Sequence, residues 1–198
     1  MLKAASQFVA AFGLGLALAA QAQVVPGTVN LRYTEQISNG PAGSCGCFGL
    51  EGFQADAGWW LKDLSAGGMG FSLAADAGVV HTGSEGNAPY GLTLTTVTAG
   101  PRFNFPAPKL QPFAQVLLGF AHGSGSSFPQ GDALVSSASS FALEAGGAAD
   151  YPIDRHLSVR VLELEYLRTA LPNSTNNWQN NLRIGAGVTL HLQDSKKH

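Results

Sequence analysis

The chain has 198 residues, of which 45% are hydrophobic and only 12% are charged, and its formal net charge is −2. The charged fraction is about half of the ~25% usual in soluble domains, and the 25 glycines argue against a long helical bundle. With this charge and no basic stripe, the chain lacks the electrostatic footprint of a nucleic-acid-binding protein.

The first 22 residues have the pattern of a secretory signal peptide. Lys3 gives a positively charged start, residues 8–20 form a short apolar segment, and Ala20-Gln21-Ala22 fits the small-x-small cleavage rule. The apolar segment is shorter than the ~20 residues that a helix needs to cross a bilayer. We therefore expect export with cleavage after Ala22, which leaves a single domain over residues 23–198.

Eight segments rich in β-branched, aromatic and small residues follow, separated by turn residues, and each is predicted to be a strand. They are residues 28–37, 48–61, 69–81, 92–105, 111–124, 139–151, 157–169 and 181–192. Their lengths lie near or slightly above the roughly 9–11 residues of a tilted membrane-spanning strand. Because glycines interrupt most segments and apolar residues recur at every second position, a helical reading is excluded.

The alternation of side chains is clearest in the last segment, where Leu182, Ile184 and Val188 share one face and Arg183 lies on the other. In the seventh segment the alternation changes phase near Val161-Leu162, which predicts a β-bulge. The fifth segment alternates poorly, and the sequence does not predict which of its residues face inward.

The connections alternate in length. Those after the second, fourth and sixth strands are tight (62–68, 106–110 and 152–156), whereas those after the other strands tend to be longer (38–47, 82–91, 125–138 and 170–180). Short turns at one end and longer loops at the other are typical of bacterial outer-membrane barrels, with the turns in the periplasm. The sequence therefore predicts an all-β, eight-stranded antiparallel up-and-down transmembrane barrel.

The lysines distinguish a membrane barrel from a soluble barrel. After the signal peptide they are Lys62, Lys109, Lys196 and Lys197, which lie in predicted turns and in the C-terminal tail and on none of the predicted strands. A soluble barrel needs a charged outer surface, whereas a lysine facing lipid at the bilayer midplane costs roughly 2–4 kcal/mol. We therefore expect the apolar face to contact lipid, with a soluble periplasmic barrel as the alternative.

Charged residues of the strands are then expected to lie mostly inside the barrel. The predicted interior charges are Arg32, Asp56, Asp76, Arg102, Glu144, Asp150, Arg160, Glu163, Glu165 and Arg183. These four guanidinium groups and six carboxylates are expected to pair, because each ion alone is costly to bury. Since side chains fill the interior of an eight-stranded barrel, the network is expected to act as a plug.

Aromatic residues near the predicted strand ends match the girdles of membrane barrels, although ordinary apolar packing is the alternative. They are Trp59, Trp60, Tyr90, Phe103, Phe105, Tyr151, Tyr166 and Trp178.

Several short motifs at strand ends and glycine positions extend this prediction. They are Tyr90-Gly-Leu-Thr-Leu-Thr-Thr, Gly100-Pro-Arg-Phe, Pro112-Phe-Ala-Gln-Val, Ala145-Gly-Gly and Asn180-Asn-Leu-Arg-Ile-Gly-Ala-Gly-Val. Through them, residues 45–192 resemble the outer-membrane β-barrel family with an OmpA-like transmembrane domain. The resemblance implies an eight-stranded barrel in the bacterial outer membrane, with small or no conductance.

Partners and departures from the family follow from this resemblance. We expect contacts with outer-membrane lipid, lipopolysaccharide and the barrel-assembly machinery, a monomeric state and no cofactor. After Leu192 the sequence has neither the peptidoglycan-binding domain of the full-length OmpA type nor a terminal aromatic residue. A tether to the cell wall is therefore not expected.

Cys45-Gly46-Cys47 lies in the first long connection. An exported protein meets an oxidising compartment, which favours a loop disulfide between Cys45 and Cys47. The short separation makes such a ring strained and easily reduced. Free thiols are an alternative, and a metal site is a further one that requires additional ligands.

His122-Gly123-Ser124 is the arrangement with nucleophilic character. Residues i and i+2 of a strand share a face, so the imidazole is placed to activate the hydroxyl, as in small outer-membrane barrels that deacylate or acylate lipid A. The carboxylate that would orient His122 is not evident, because Glu144 lies too deep and His81 is a partner only if the loops fold over. The leading hypothesis is therefore a plugged barrel with a structural or adhesive role through its loops. The alternatives are a narrow passive pore and a lipid A-modifying enzyme.

Overall fold

The computed structural model of the chain describes residues 27–39, 47–66, 69–83, 91–105, 107–173 and 176–192, with the backbone alone for residues 62–66. The predicted signal peptide and its cleavage site after Ala22 lie outside these residues and stay predictions.

Eight strands form one closed antiparallel barrel. They are β1 (Gly27–Asn39), β2 (Cys47–Ala66), β3 (Met69–Thr82), β4 (Leu92–Asn104), β5 (Gln111–Gln130), β6 (Ala133–Pro152), β7 (Leu157–Thr169) and β8 (Gln179–Leu192). Each strand pairs with its sequence neighbours, and β1 closes the barrel against β8. This confirms the predicted fold. Among the described residues, no helix is long and apolar enough to cross a membrane.

The barrel has two different ends. Gly27 pairs with both Trp59 and Leu192, so the first and last strand ends lie together at what we call the turn end. The opposite end, which we call the loop end, carries the connections that follow β1, β3, β5 and β7. At the turn end, the β6–β7 connection is closed by Asp154, which accepts hydrogen bonds from the backbone amides of His156 and Leu157 at 2.6 and 2.9 Å.

A belt of exposed apolar side chains surrounds the barrel. Each strand contributes at least one large apolar residue that is 45–62% exposed: Leu31, Phe53, Leu73, Val97, Leu118, Phe141, Leu164 and Leu190. An apolar surface of this extent is stable in lipid and not in water. The outer wall therefore faces a membrane, as the alternation of the sequence predicts.

The bulge predicted in β7 is confirmed. The register against β8 shifts between Arg160 and Glu163, and Val161 and Leu162 are consecutive exposed residues, at 49% and 45%. The bulge brings Arg160 and Glu163 to the same, inward side of the wall. In β5, whose facing the sequence leaves open, Leu117 and its odd-numbered neighbours face inward. Alternation was weak there because both faces of β5 carry apolar residues.

The predicted loop 125–138 is wrong. β5 continues to Gln130 and β6 starts at Ala133, so this segment is a long hairpin closed by Gly131-Asp132. Gly131 has φ 62° and Gly125 has φ 88°, a backbone conformation that glycine adopts without strain. The two-residue turn is one of the patterns that close hairpins, and it outweighs the glycine and serine content that suggested a loop.

The prediction that no lysine falls on a strand is also wrong. β2 extends to Ala66, past a register shift between Trp60 and Ser65, so Lys62 lies within this strand. The extension continues the β2–β3 pairing at the turn end. The evidence for a lipid-facing wall is therefore the apolar belt and not the position of the lysines.

Candidate functional site

Arg32 of β1 lies at the centre of a buried charge network. Its guanidinium group pairs with Asp56 at 2.9 Å and with Glu163 at 2.7 Å. It also pairs with Asp76 and, at 3.4 Å, with Glu165. These carboxylates belong to β2, β3 and β7, so one arginine links strands on both of its sides. Arginine suits this position because its planar fork binds several carboxylate oxygens at once.

Asp56 also pairs with two further guanidinium groups. Arg102 and Arg160 contact its two oxygens at 2.7 and 2.6 Å. Arg160 also donates to both oxygens of Asp150, at 2.8 and 3.2 Å. The ring of Phe113 lies 4.2 Å from the Arg102 guanidinium carbon and 4.7 Å from that of Arg160. This stacking adds a cation–π contribution on the turn-end side of the network.

Arg183 of β8 forms a second group nearer the loop end. It pairs with Glu144 at 3.2 Å and donates to the side chains of Gln36 and Thr96 at 2.8 and 3.2 Å. The structure places all ten predicted interior charges inside the barrel, each at most 6% exposed. We refer to these ten residues as the charge network.

Neutral polar side chains, which are not among the predicted interior residues, complete the network. Gln54 donates to Asp76 at 3.1 Å, and Gln115 donates to Glu165 at 2.8 Å. The alternation of side chains along each strand predicts such residues, because every second residue faces the interior. In β1, for example, Asn30, Thr34 and Gln36 have the same parity as Arg32 and are buried with it.

An apolar cluster, which the sequence did not predict, closes the interior at the loop end. This apolar cap consists of Leu50, Val80, Leu92, Leu94, Ala121, Phe128, Ala142, Leu167 and Leu171. Phe128 belongs to the outer part of β5 and reaches inward because the register shifts between Ser124 and Phe128. The hairpin thus contributes to the closure of the barrel mouth.

Two cavities lie at opposite ends of this filled interior. The loop-end cavity, about 230 Å³, lies between the β5–β6 hairpin, the start of the β7–β8 connection and the end of β1, and its described lining includes Phe128, Leu134, Leu171, Trp178 and Gln179. The turn-end cavity, about 210 Å³, has a mixed lining that includes Arg102, Asn104 and Asp150 beside the rings of Trp60 and Phe113. The charge network and the apolar cap separate the two.

His122 and Ser124, the candidate catalytic pair, do not form a catalytic triad in the described part of the chain. His122 is exposed on the outer wall, and its Nδ1 is hydrogen-bonded to Ser139 Oγ at 2.8 Å. Glu144 faces the opposite side of the wall and is bound to Arg183. His81 Nδ1 contacts Thr93 Oγ1 at 2.9 Å. The described part of the chain also contains no group of three or more His, Cys, Asp or Glu side chains that can hold a metal.

Two other predicted features are covered only in part. Cys47 is exposed at the start of β2, whereas Cys45 lies outside the described residues, so the loop disulfide stays a prediction. Of the candidate girdle residues, Trp59, Phe105 and Tyr151 are exposed at the turn end and Tyr166 and Trp178 toward the loop end. The guanidinium carbon of Arg168 also lies 3.9 Å from the ring centre of Trp178. Tyr90 is outside the described residues.

No protein-family model matches the sequence, and a search of curated proteins also finds no match. Solved structures do match. Neisserial surface protein A has a TM-score of 0.59 at 14% identity, covering 83% of this chain and 96% of that one. The attachment invasion locus protein Ail of Yersinia pestis has a TM-score of 0.52 at 16% identity, covering 83% and 98%. This chain has the fold of the small outer-membrane barrels.

The outer membrane enzyme PagL is a third similar structure, with a TM-score of 0.50 at 13% identity and coverage of 79% of this chain and 97% of that one. At these identities the similarity concerns the fold alone, which carries different activities in different proteins. The fold therefore does not fix the specific role of this chain.

Proposed function

We propose that this protein is a closed outer-membrane barrel with a structural plug, and that it acts at the cell surface through its loop end. The observation that carries the proposal is the stacking of the charge network and the apolar cap between the two cavities. The turn end would face the periplasm and the loop end the exterior, in the usual orientation of such barrels.

The pairing within the network supports a plug and not a pore. A conducting pathway needs side chains that face water, whereas the inner guanidinium groups are bonded to carboxylates and are almost fully buried. Buried pairs of this kind are costly to separate, because each freed ion is left in a medium of low dielectric constant. Above the network, the side chains of the apolar cap fill further space inside the barrel.

Planar-bilayer recording tests the plug. The purified wild-type barrel is expected to give no stable conductance steps. The variant Arg32→Ala is expected to introduce current noise or steps, because it removes the central cation of the network. Arg168→Ala, on the outer wall beside Trp178, is the matched control and should remain silent. Reproducible wild-type channels would establish the passive pore instead.

The adhesive role is tested on cells. Ail of Yersinia pestis, a protein of similar fold, has been crystallised in complex with the heparin analogue sucrose octasulfate. In this chain the described lining of the loop-end cavity is uncharged, which favours a neutral partner over a sulfated one. Bacteria displaying the wild-type protein should adhere to host cells more than bacteria displaying a barrel whose residues 125–138 are replaced by a short turn. Equal adhesion would contradict the role.

A lipid A-modifying activity is the second candidate, because His122 lies beside Ser139 on the outer wall and PagL shares the fold. The expected result for this candidate is a mass change in lipid A that depends on the protein and is lost in His122→Ala. Unchanged lipid A in cells that express the wild-type protein would exclude it.

A further inference from the structure

The β5–β6 hairpin extends beyond the barrel wall. Pairing of β5 with β4 ends at Ser124, which faces Thr93, and pairing of β6 with β7 ends at Ala142, which faces Thr169. Farther out, β5 and β6 pair with each other as far as Gln130 and Ala133. In the ranges that the structure describes, no segment forms backbone hydrogen bonds with the other edge of β6 over residues 133–139.

This edge lacks the features that protect edge strands. Proteins usually block an open edge with charged residues, proline or a covering segment. Residues 133–139 are Ala-Leu-Val-Ser-Ser-Ala-Ser and contain neither a charge nor a proline. Leu134 is 72% exposed, whereas Val135 and Ala138 pack against the apolar cap. The edge is therefore anchored to the barrel, and no strand among the described residues pairs with it.

The loop-end cavity opens beside this edge. Leu134 forms part of the cavity lining, and Leu171 and Trp178 lie in the same lining on the side of the β7–β8 connection. Gln36 and Asn181 add hydrogen-bonding groups lower down. At about 230 Å³, the cavity is smaller than the ~300–1,000 Å³ typical of sites for whole small molecules. Its size and lining suit one apolar side chain.

We propose that the edge of β6 over residues 133–139 binds an extended, uncharged segment of a partner protein by strand addition, and that the loop-end cavity accepts one apolar side chain of that segment. Main-chain hydrogen bonds supply affinity in this mode, and the pocket supplies specificity. The inference rests on the proposed surface function and names the class of partner for it.

A second copy of this chain is a poor occupant of the edge. Two barrels in one membrane are related by an axis along the membrane normal, so their β6 strands would meet in parallel with the same residues facing each other. In a parallel pair, a residue whose backbone N–H and C=O point toward the partner strand must lie opposite a residue whose groups point away. Two identical residues that face each other cannot meet this condition, so the symmetric arrangement does not form a ladder. A flexible extended segment has no such constraint, because it can approach in the antiparallel direction.

The test uses the whole barrel in detergent micelles and a fluorescent synthetic peptide of alternating threonine and valine with a central phenylalanine. Binding is measured by fluorescence anisotropy. We expect saturable binding that weakens about tenfold or more, the scale of losing one anchor of an interface, when the peptide backbone is N-methylated or its phenylalanine is replaced by serine.

Protein variants provide matched controls. Ser137→Lys places a charge on the open edge, and Leu134→Ser removes an apolar wall of the cavity, so each is expected to weaken binding about tenfold. Gln130→Lys adds the same charge at the hairpin tip, off this edge, and is expected to leave binding unchanged. Heat-modified mobility on gels checks that each variant is folded.

Three results would overturn the inference: no binding, equal binding of the N-methylated peptide, or a stable dimer by analytical ultracentrifugation that occupies the edge. The peptide-binding test can fail while the proposed surface function stands. If cell adhesion depends on residues 125–138 while the peptide fails to bind, the surface role stands and strand addition is refuted.

Discussion

Removing Arg160 is the sharpest test of the charge network. The residue is fully buried and donates to Asp150 through two nitrogens, to Asp56 at 2.6 Å and to Glu163 at 3.1 Å. Arg160→Ala removes these contacts without touching the backbone pairing of β7. The variant therefore isolates the contribution of one guanidinium group to the stability of the barrel.

The magnitude follows from what each acceptor retains. Asp56 keeps Arg32 and Arg102, and Glu163 keeps Arg32, so neither loses its last cation. Within the described part of the chain, the hydrogen bond that Asp150 keeps is the one from the hydroxyl of Thr189, at 3.1 Å. The cost is therefore that of one broken buried pair, about 3–5 kcal/mol, and not the sum over four hydrogen bonds.

Equilibrium unfolding by urea in lipid vesicles, followed by tryptophan fluorescence, measures this difference. The double variant Arg160→Leu with Asp150→Leu is expected to lose less than Arg160→Ala, because it leaves Asp150 no unpaired charge and fills the space with apolar atoms. A loss of less than about 1 kcal/mol in Arg160→Ala would refute the reasoning, since it would mean that water or rearranged side chains replace the guanidinium group without cost.

Three further predictions concern other parts of the barrel. Gly119→Val is expected to destabilise the barrel by about 1–3 kcal/mol or more, because a Cβ there would overlap the backbone oxygen of Val97 in β4. Gly49→Val, where a Cβ would have nothing within 4 Å, should cost little in the same urea assay. Phe128→Ala should loosen the hairpin, so limited proteolysis at Gly131 should accelerate while the barrel stays folded. The hydrogen bond from the amide of His156 holds the pKa of Asp154 below its usual 3.8, so this carboxylate stabilises its turn above that pH and loses the effect as the pH falls through the lower folded value. Hydrogen exchange of the turn amides, compared with Asp154→Ala, should show this, and a turn indifferent to both changes would contradict it.

Local alternation was sufficient to predict much of the architecture. In β8, every second residue from Leu182 is apolar and exposed while Arg183 is buried, so the sequence alone determines the two faces. The phase change at Val161-Leu162 likewise identifies the bulge, because two consecutive apolar residues cannot both face lipid without one.

The features that escaped prediction depend on long-range packing. The composition beyond Ser124 predicts a loop where the structure has a hairpin, because glycine and serine content does not show whether a segment pairs with its neighbour. The apolar cap was missed because Leu50, Val80 and Leu167 come from three strands and meet only once the barrel closes. The partners of each guanidinium group were equally out of reach, because inward facing alone does not fix the height of a side chain in the barrel.

Arg32 and Arg183 stand on the first and last strands, at the seam where the sheet joins itself. In a sheet still open at this seam, Arg32 would have Asp56 and Asp76 beside it on β2 and β3, but Glu163 and Glu165 would be a full circumference away. Joining the edges thus adds a second cation, Arg32, to Glu163, which already pairs with Arg160 on its own strand. A cylinder that is still open at the seam lacks the pairs of Arg32 with Glu163 and Glu165, so these contacts favour the closed form over intermediate openings.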